Sequence, residues 1–233
     1  MKEQIKKGTG RNWIFFLFVF CIVCHSCNNK KEDALNPEAI YFDYKITGEE
    51  GNDKLTVMLQ YRDGGEEGDA VSMGNVTLDG EPMTLDSSKM SGVFYELHKP
   101  IAEFKGKHRI LLTGINKKEY KEEFDFQPVE LITPIADTIH RSNLVFEFKG
   151  LATKDYLRVL LTDTSYINDG INRVDFVQNG QLIINETYLE TLANGPVQIE
   201  FIREYERPVK DRTVDGGRLR LTYSLKREFI LLD

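Results

Sequence analysis

From Ile40 onward the chain alternates apolar and polar side chains with a period of two, and it does so without a single cysteine to staple it. That spacing puts apolar groups on one face of an extended strand and polar groups on the other, so the segment must fold by pairing strands and stacking sheets. Phe42, Tyr44 and Ile46 share a face against Asp43 and Lys45; after the turn GEEGND at 48–53, Leu55, Val57, Leu59 and Tyr61 share the next. Val76-Thr77-Leu78 runs into Asp79-Gly80, a pair that supplies the backbone angles of a two-residue hairpin. Val93, Tyr95 and Leu97 form a further run. His108, Ile110 and Leu112 then face away from Arg109 and Leu111, and beyond a turn at Asn116-Lys117 come Tyr120, Glu122, Phe124 and Phe126.

About seven strands between Ile40 and Phe126, with turn signals at short intervals, predict a Greek-key sandwich of the immunoglobulin class. QPVELITPIA at 127–136 brackets apolar residues with two prolines and marks a boundary; Val129, Leu131 and Ile132 are apolar enough to pack between the two halves. The grammar then repeats. Leu144, Phe146 and Phe148 alternate, Leu157, Val159 and Leu161 follow, and Val174 and Phe176 lead through Asn179-Gly180 to Leu182 and Ile184. TYLETL at 187–192 has the spacing of one helical turn, and Val197, Ile199 and Phe201 resume the alternation before a final basic pair of strands. The predicted fold is all-β, two tandem immunoglobulin-like antiparallel β-sandwiches.

Ahead of this body lies a different kind of segment. Lys2, Lys6, Lys7 and Arg11 precede an apolar run, Trp13 to Cys24, whose 12 residues span only about 18 Å as a helix, against roughly 30 Å of bilayer hydrocarbon. Such a run reads as a secretory signal that is removed. Ser26 precedes Cys27, and this junction resembles the lipobox of bacterial lipoproteins, which implies that the Cys27 thiol carries diacylglycerol. The polar stretch NNKKEDALNPE that follows has the composition of a tether. Lys31-Glu32-Asp33 looks like the signal that sends Bacteroidota lipoproteins outward, which favours the cell surface over the periplasm. The whole chain resembles a small Bacteroidota envelope lipoprotein of the outer membrane: signal peptide 1–26, lipidated tether 27–37, sandwiches at 38–128 and 129–233.

Removing residues 1–26 takes a net +3 from a chain of net charge −7 and leaves −10, a balance that argues against a nucleic-acid partner. All three cysteines lie at or before residue 27, which excludes disulfides, thiolate catalysis and cysteine-ligated zinc from the sandwiches. No GxSxG, HExxH or phosphate-cradling glycine loop is present, and His98, His108 and His140 read as partly exposed strand or loop residues. The reading is therefore not an enzyme, with no cofactor and no metal; the acidic loops around Asp63 to Asp69 and Asp163 to Asp169 are solvated turns. Arg203, Arg207, Arg218, Arg220 and Lys226 form a candidate anionic-ligand face on the last two strands, with Leu219, Leu221, Tyr223 and Leu225 on the other side. Tyr41, Tyr95, Tyr156, Tyr166 and Tyr205 are the aromatics available for stacking a glycan. Asp137-Thr138-Ile139 resembles a Bacteroidota O-glycosylation acceptor at Thr138. These features point to a lipid-anchored, non-catalytic binding or scaffold module whose partners are the membrane and another envelope protein or a glycan. The alternatives are a glycan-binding accessory of an outer-membrane nutrient-uptake system and a hydrolase with an unrecognised site.

Overall fold

The alternation of the first half becomes nine strands. In a computed structural model of the chain, which describes residues 35–164 and 170–233, these are β1 (Ile40–Glu49), β2 (Lys54–Asp63), β3 (Asp69–Val71), β4 (Gly74–Leu78), β5 (Glu81–Pro82), β6 (Thr84–Ser88), β7 (Gly92–Pro100), β8 (Gly106–Gly114) and β9 (Glu119–Phe126). The two strands beyond the expected seven are β3, whose three residues are too short to display a period, and β6, whose five side chains are all exposed and so do not alternate. One sheet runs β1-β2-β7-β6, with β3 on β2, and the other runs β5-β4-β8-β9. Phe42 of β1 meets Tyr120 of β9 edge-on, ring centroids 5.2 Å apart, so the two sheets face each other. With the short β3 and β5 set aside, the two sheets run first-second-fifth-fourth and third-sixth-seventh, the constant-type immunoglobulin order. Asp79 and Gly80, at φ 52° and 84°, close the expected hairpin between β4 and β5.

The second half holds β10 (Glu130–Leu131), β11 (Thr138–His140), β12 (Leu144–Lys149), β13 (Lys154–Asp163), β14 (Ile171–Gln178), β15 (Gln181–Ile184), a four-residue helix α1 (Glu186–Leu189), β16 (Gly195–Pro208) and β17 (Gly217–Leu232). Pairing runs β10-β12-β15, turns the Asn179-Gly180 hairpin through the single pair Gln178↔Gln181, and continues β14-β13-β16-β17 with β11 on β17. The path folds back on itself: Phe146 and Phe148 of β12 each sit 5.0 Å from the ring of Phe201 on β16, four strands along. The result is a second sandwich. The linker is part of it, since β10 pairs with β12; Val129 is buried, whereas Ile132, expected between the halves, is 41% exposed.

β16 and β17 are 14 and 16 residues long and stay paired from Gly195↔Leu231 to Pro208↔Arg218. At about 3.3 Å per residue the ribbon is roughly 45 Å long, more than one sandwich needs. Its far half therefore leaves the second sandwich, and β17 adds in parallel to the free side of β1, from Phe42↔Gly217 to Glu49↔Ser224. Backbone pairing thus crosses the division expected between residues 128 and 129, and Asn36–Asp233 makes one compact unit.

The joint is tightly fitted. A Cβ on Gly217 would stand 2.6 Å from the Phe42 carbonyl oxygen and 2.7 Å from its Cβ. Thr213 bonds the backbone of Ile40 in both directions, accepting from the Ile40 N–H at 3.1 Å and donating to its carbonyl. Gly217→Ala is therefore expected to cost about 1–3 kcal/mol, the usual penalty of overpacking. In hydrogen exchange the loss should concentrate in the amides of β1 and residues 217–224; an equal loss across β12 to β15 would show that the joint is not the place of strain.

Candidate functional site

The period of two divides the five expected cations instead of gathering them. In the β16–β17 register Arg203 and Arg207 stand opposite Tyr223 and Leu219, on the inner face, whereas Arg218 and Arg220 alternate with those residues and point outward with Lys226, which is paired to Glu200. Every one has a carboxylate partner. Outside, Arg218 binds Asp43 at 3.1 Å and Glu66, Arg220 binds Glu206 at 3.1 Å, and Lys226 binds Glu49 at 2.7 Å. Inside, Arg203 pairs with Asp155 at 3.0 Å and donates to the carbonyls of Gly150 and Gln127. Arg207 pairs with Glu122 at 2.7 Å and donates to the Glu123 carbonyl at 2.7 Å.

The inner face leads to a groove of about 590 Å³. In the first sandwich β9 is the last strand of its sheet, but the opposite sheet continues past it through β17 to β16. The ribbon's inner face is therefore left partly uncovered, and Tyr205 on it is 48% exposed. Leu221, Tyr223, Phe124 and Phe126 make the apolar floor, with Phe126 and Tyr223 edge-on at 6.0 Å. Lys107, Arg109 and Lys210 stand at the rim with Asp79, Glu123 and Asp125.

Side chains stop the open edge of β9 from acting as a template. The Lys121 N–H donates to Asp211 at 2.9 Å, the Glu123 N–H donates to the Glu122 carboxylate at 3.1 Å, and the Glu123 carbonyl is taken by Arg207. Charged groups placed this way interrupt the row of free donors and acceptors that a new strand requires. Glu122 is only 1% exposed, and its two oxygens accept from Arg207 and from the Lys210 N–H at 2.6 Å. Lys121, by hydrogen bond and charge, holds the Glu123 carboxyl below the usual range, with Arg109 and Lys210 adding to the effect.

His108 was expected to be partly exposed and is instead buried, its ring stacked 3.7 Å from that of Phe104. Its Nδ1 meets the Asp79 carboxylate at 2.7 Å and its Nε2 the Phe104 carbonyl at 3.0 Å. Both ring nitrogens are therefore engaged by internal partners. His98 and His140 lie elsewhere, on Glu96 and on the Asp233 carbonyl. Among the described residues no three His, Cys, Asp or Glu side chains are grouped to hold a metal. Thr138 is exposed on β11; Cys27 and Tyr166 lie outside the described residues. Of the remaining tyrosines, Tyr95 is buried and bonds Gly74 at 2.8 Å, so it is no stacking platform.

A second surface was not anticipated. Val174 and Phe176 were read together with Leu182 and Ile184, yet they are 56% and 44% exposed while Asp175 and Val177 are buried. A two-residue hairpin fixes this phase: Gln178 pairs with Gln181, so Val177 must share a face with Leu182, and Phe176 with Ile183. Val145, Ile183, Phe176 and Tyr156 consequently form an exposed row across β12, β15, β14 and β13, with Phe176 and Tyr156 rings 5.3 Å apart.

Strand order defines the class: an immunoglobulin-like pair of sandwiches joined by a shared ribbon. No protein-family model matches the sequence, and no curated protein is similar to it. Among solved structures, the titin tandem domains A164-A165 align over 83% of this chain and 96% of theirs at 9% identity and a TM-score of 0.25. The DIP-gamma IG1+IG2 pair aligns over 82% and 99% at 11% identity and a TM-score of 0.23. The Yersinia pseudotuberculosis adhesin InvE aligns over 81% of this chain and 60% of its own at 14% identity and a TM-score of 0.23.

Two measurements probe the ion pairs. Arg207→Met leaves Glu122 buried without its guanidinium and should cost about 3–5 kcal/mol in urea unfolding, with part of the loss recovered by adding Glu122→Gln. Burial would raise the Asp43 carboxyl, but hydrogen bonds from Arg218 and Lys45 outweigh it and hold the group below its ordinary value. The stabilisation from Asp43 is present above the unfolded carboxyl's pKa and disappears as pH falls through the lower folded one. The stability gap between wild type and Asp43→Asn should accordingly close on acidification below about pH 4; a gap constant from pH 7 to pH 2 would contradict the pairing.

Proposed function

We propose that this chain is a lipid-anchored, non-catalytic binding module of a bacterial outer membrane, presented toward the cell surface. The anchor would be the lipid on Cys27, followed by the polar tether that resembles those of envelope lipoproteins. The single observation that carries the binding role is the groove beside β9, which exists because the ribbon overhangs the first sandwich. A cleft of this volume with an apolar floor and a polar rim is the usual form of a ligand site. The two groups lining it or adjoining it that are best suited to proton transfer, His108 and Glu122, have their polar atoms committed to internal partners, which favours binding over chemistry. Thr138, exposed on a strand away from the groove, is the proposed acceptor for an O-linked glycan.

Two observations test the proposal independently. Cys27→Ser should move the protein from the membrane to the soluble fraction, and retention on the membrane would remove the anchor from the account. Solubilised envelope from the producing cell should slow hydrogen exchange in residues 119–127 and 203–210. Protection confined to other strands, or none, would overturn the groove as the ligand site.

A further inference from the structure

We infer that the groove holds an extended acidic glycan, one carrying carboxylates or sulfates along its length; the inference rests on the groove being the ligand site. Charge points first to an anion. On a chain of net charge −7, Lys107, Arg109 and Lys210 at the rim make no ion pair among the described residues. Of the nearby acids, Glu123 is matched by Lys121, and Asp79 is held by hydrogen bonds with His108 and the Arg109 N–H. Lys107, Arg109 and Lys210 then outnumber the remaining acids Asp79 and Asp125, so the groove carries local positive charge on an acidic protein. Lining it with low-dielectric walls, as the Phe124, Phe126 and Tyr223 rings do, concentrates the field.

The form of the anion follows from the edge of β9. A peptide laid along it would need the Lys121 and Glu123 amides and the Glu123 carbonyl, and Asp211, Glu122 and Arg207 already hold them. Recognition must therefore run through side chains: exposed ammonium and guanidinium groups for the charges, and the Tyr205 ring, 48% exposed on the wall, for a flat apolar face. The negative face of an aromatic ring attracts polarised C–H groups such as those of a pyranose, and a side-chain site of this kind tolerates a ligand with no backbone amides to pair.

The test uses detergent-solubilised full chain and isothermal titration with three probes: a uronic-acid hexasaccharide, a neutral hexasaccharide and hexaglutamate. The expected result is binding of the uronate, little or none of the neutral sugar, and weaker binding of hexaglutamate. Arg109→Glu with Lys210→Glu, both exposed, should weaken the uronate more than tenfold, whereas Lys54→Glu with Lys154→Glu, the same change in net charge elsewhere, should not. Tyr205→Ala should weaken the uronate and leave hexaglutamate unchanged, a split that a purely electrostatic surface would not give. Hexaglutamate binding more tightly than the uronate, and lost in the Arg109/Lys210 variant, would overturn the glycan while leaving the groove as the site. Uronate binding unaffected by that variant would overturn the groove itself, and no binding of the uronate at millimolar concentration would overturn this inference alone.

Discussion

The parallel pairing of β1 with the first half of β17 is the interaction on which the rest of the molecule depends. It joins residues 175 apart in sequence, as at Asp43 and Arg218, and it covers the free side of β1 and of the first half of β17. β17 has β16 along one side and, on the other, first β1 and then β11, so its backbone is satisfied over most of its length. Two sandwiches connected only by the proline-flanked segment at 127–136 would be free to move against each other. A continuous ladder of backbone hydrogen bonds removes that freedom, because bending the ribbon at the joint would break several bonds together. Contacts of such sequence separation also make folding slow, since most of the loop entropy must be lost before they form.

The groove is a by-product of that joint. Adding two strands to one sheet of the first sandwich without adding any to the other leaves an overhang, and the polar side chains around it settle what the overhang becomes. Glu122 and Arg207 tie β9 to β16 from opposite layers, and Arg203 ties β16 to the carbonyls of Gln127 and Gly150. These contacts close the deep end of the gap, and they hold the uncovered surface at fixed width. Desolvation of both charges offsets most of their attraction, so such a pair adds little net stability while the loss of either partner is costly.

Much of the fold was legible in particular residues. Asp79-Gly80 and Asn179-Gly180 both adopt the positive angles that their types favour, and the buried faces of β1, β2, β8 and β9 are those marked by alternation. The helical turn at Glu186–Leu189 was also visible in its spacing. The candidate site was legible in part. Arg203 and Arg207 were singled out as cations, but their place in the groove was not, and Lys107 and Arg109 were missed because a strand residue's own alternation gives its face and not what lies across it. The phase of β14 was recoverable in principle from the two-residue hairpin, which ties Val177 to Leu182; apolar character alone assigned it to Val174 and Phe176.

By itself the sequence determined which residues pair locally, which faces turn inward, and that no thiol takes part in the sandwiches, because periodicity, turn chemistry and composition act over a few residues at a time. Only the tertiary structure decided that the last two strands outgrow their own sandwich and complete the other. That outcome depends on the free side of β1 meeting a ribbon some 170 residues later, with Gly217 giving the clearance for Phe42 and Arg218 the charge for Asp43. Backbone hydrogen bonding is nearly indifferent to side-chain identity, so a period of two can announce a strand without naming its neighbour.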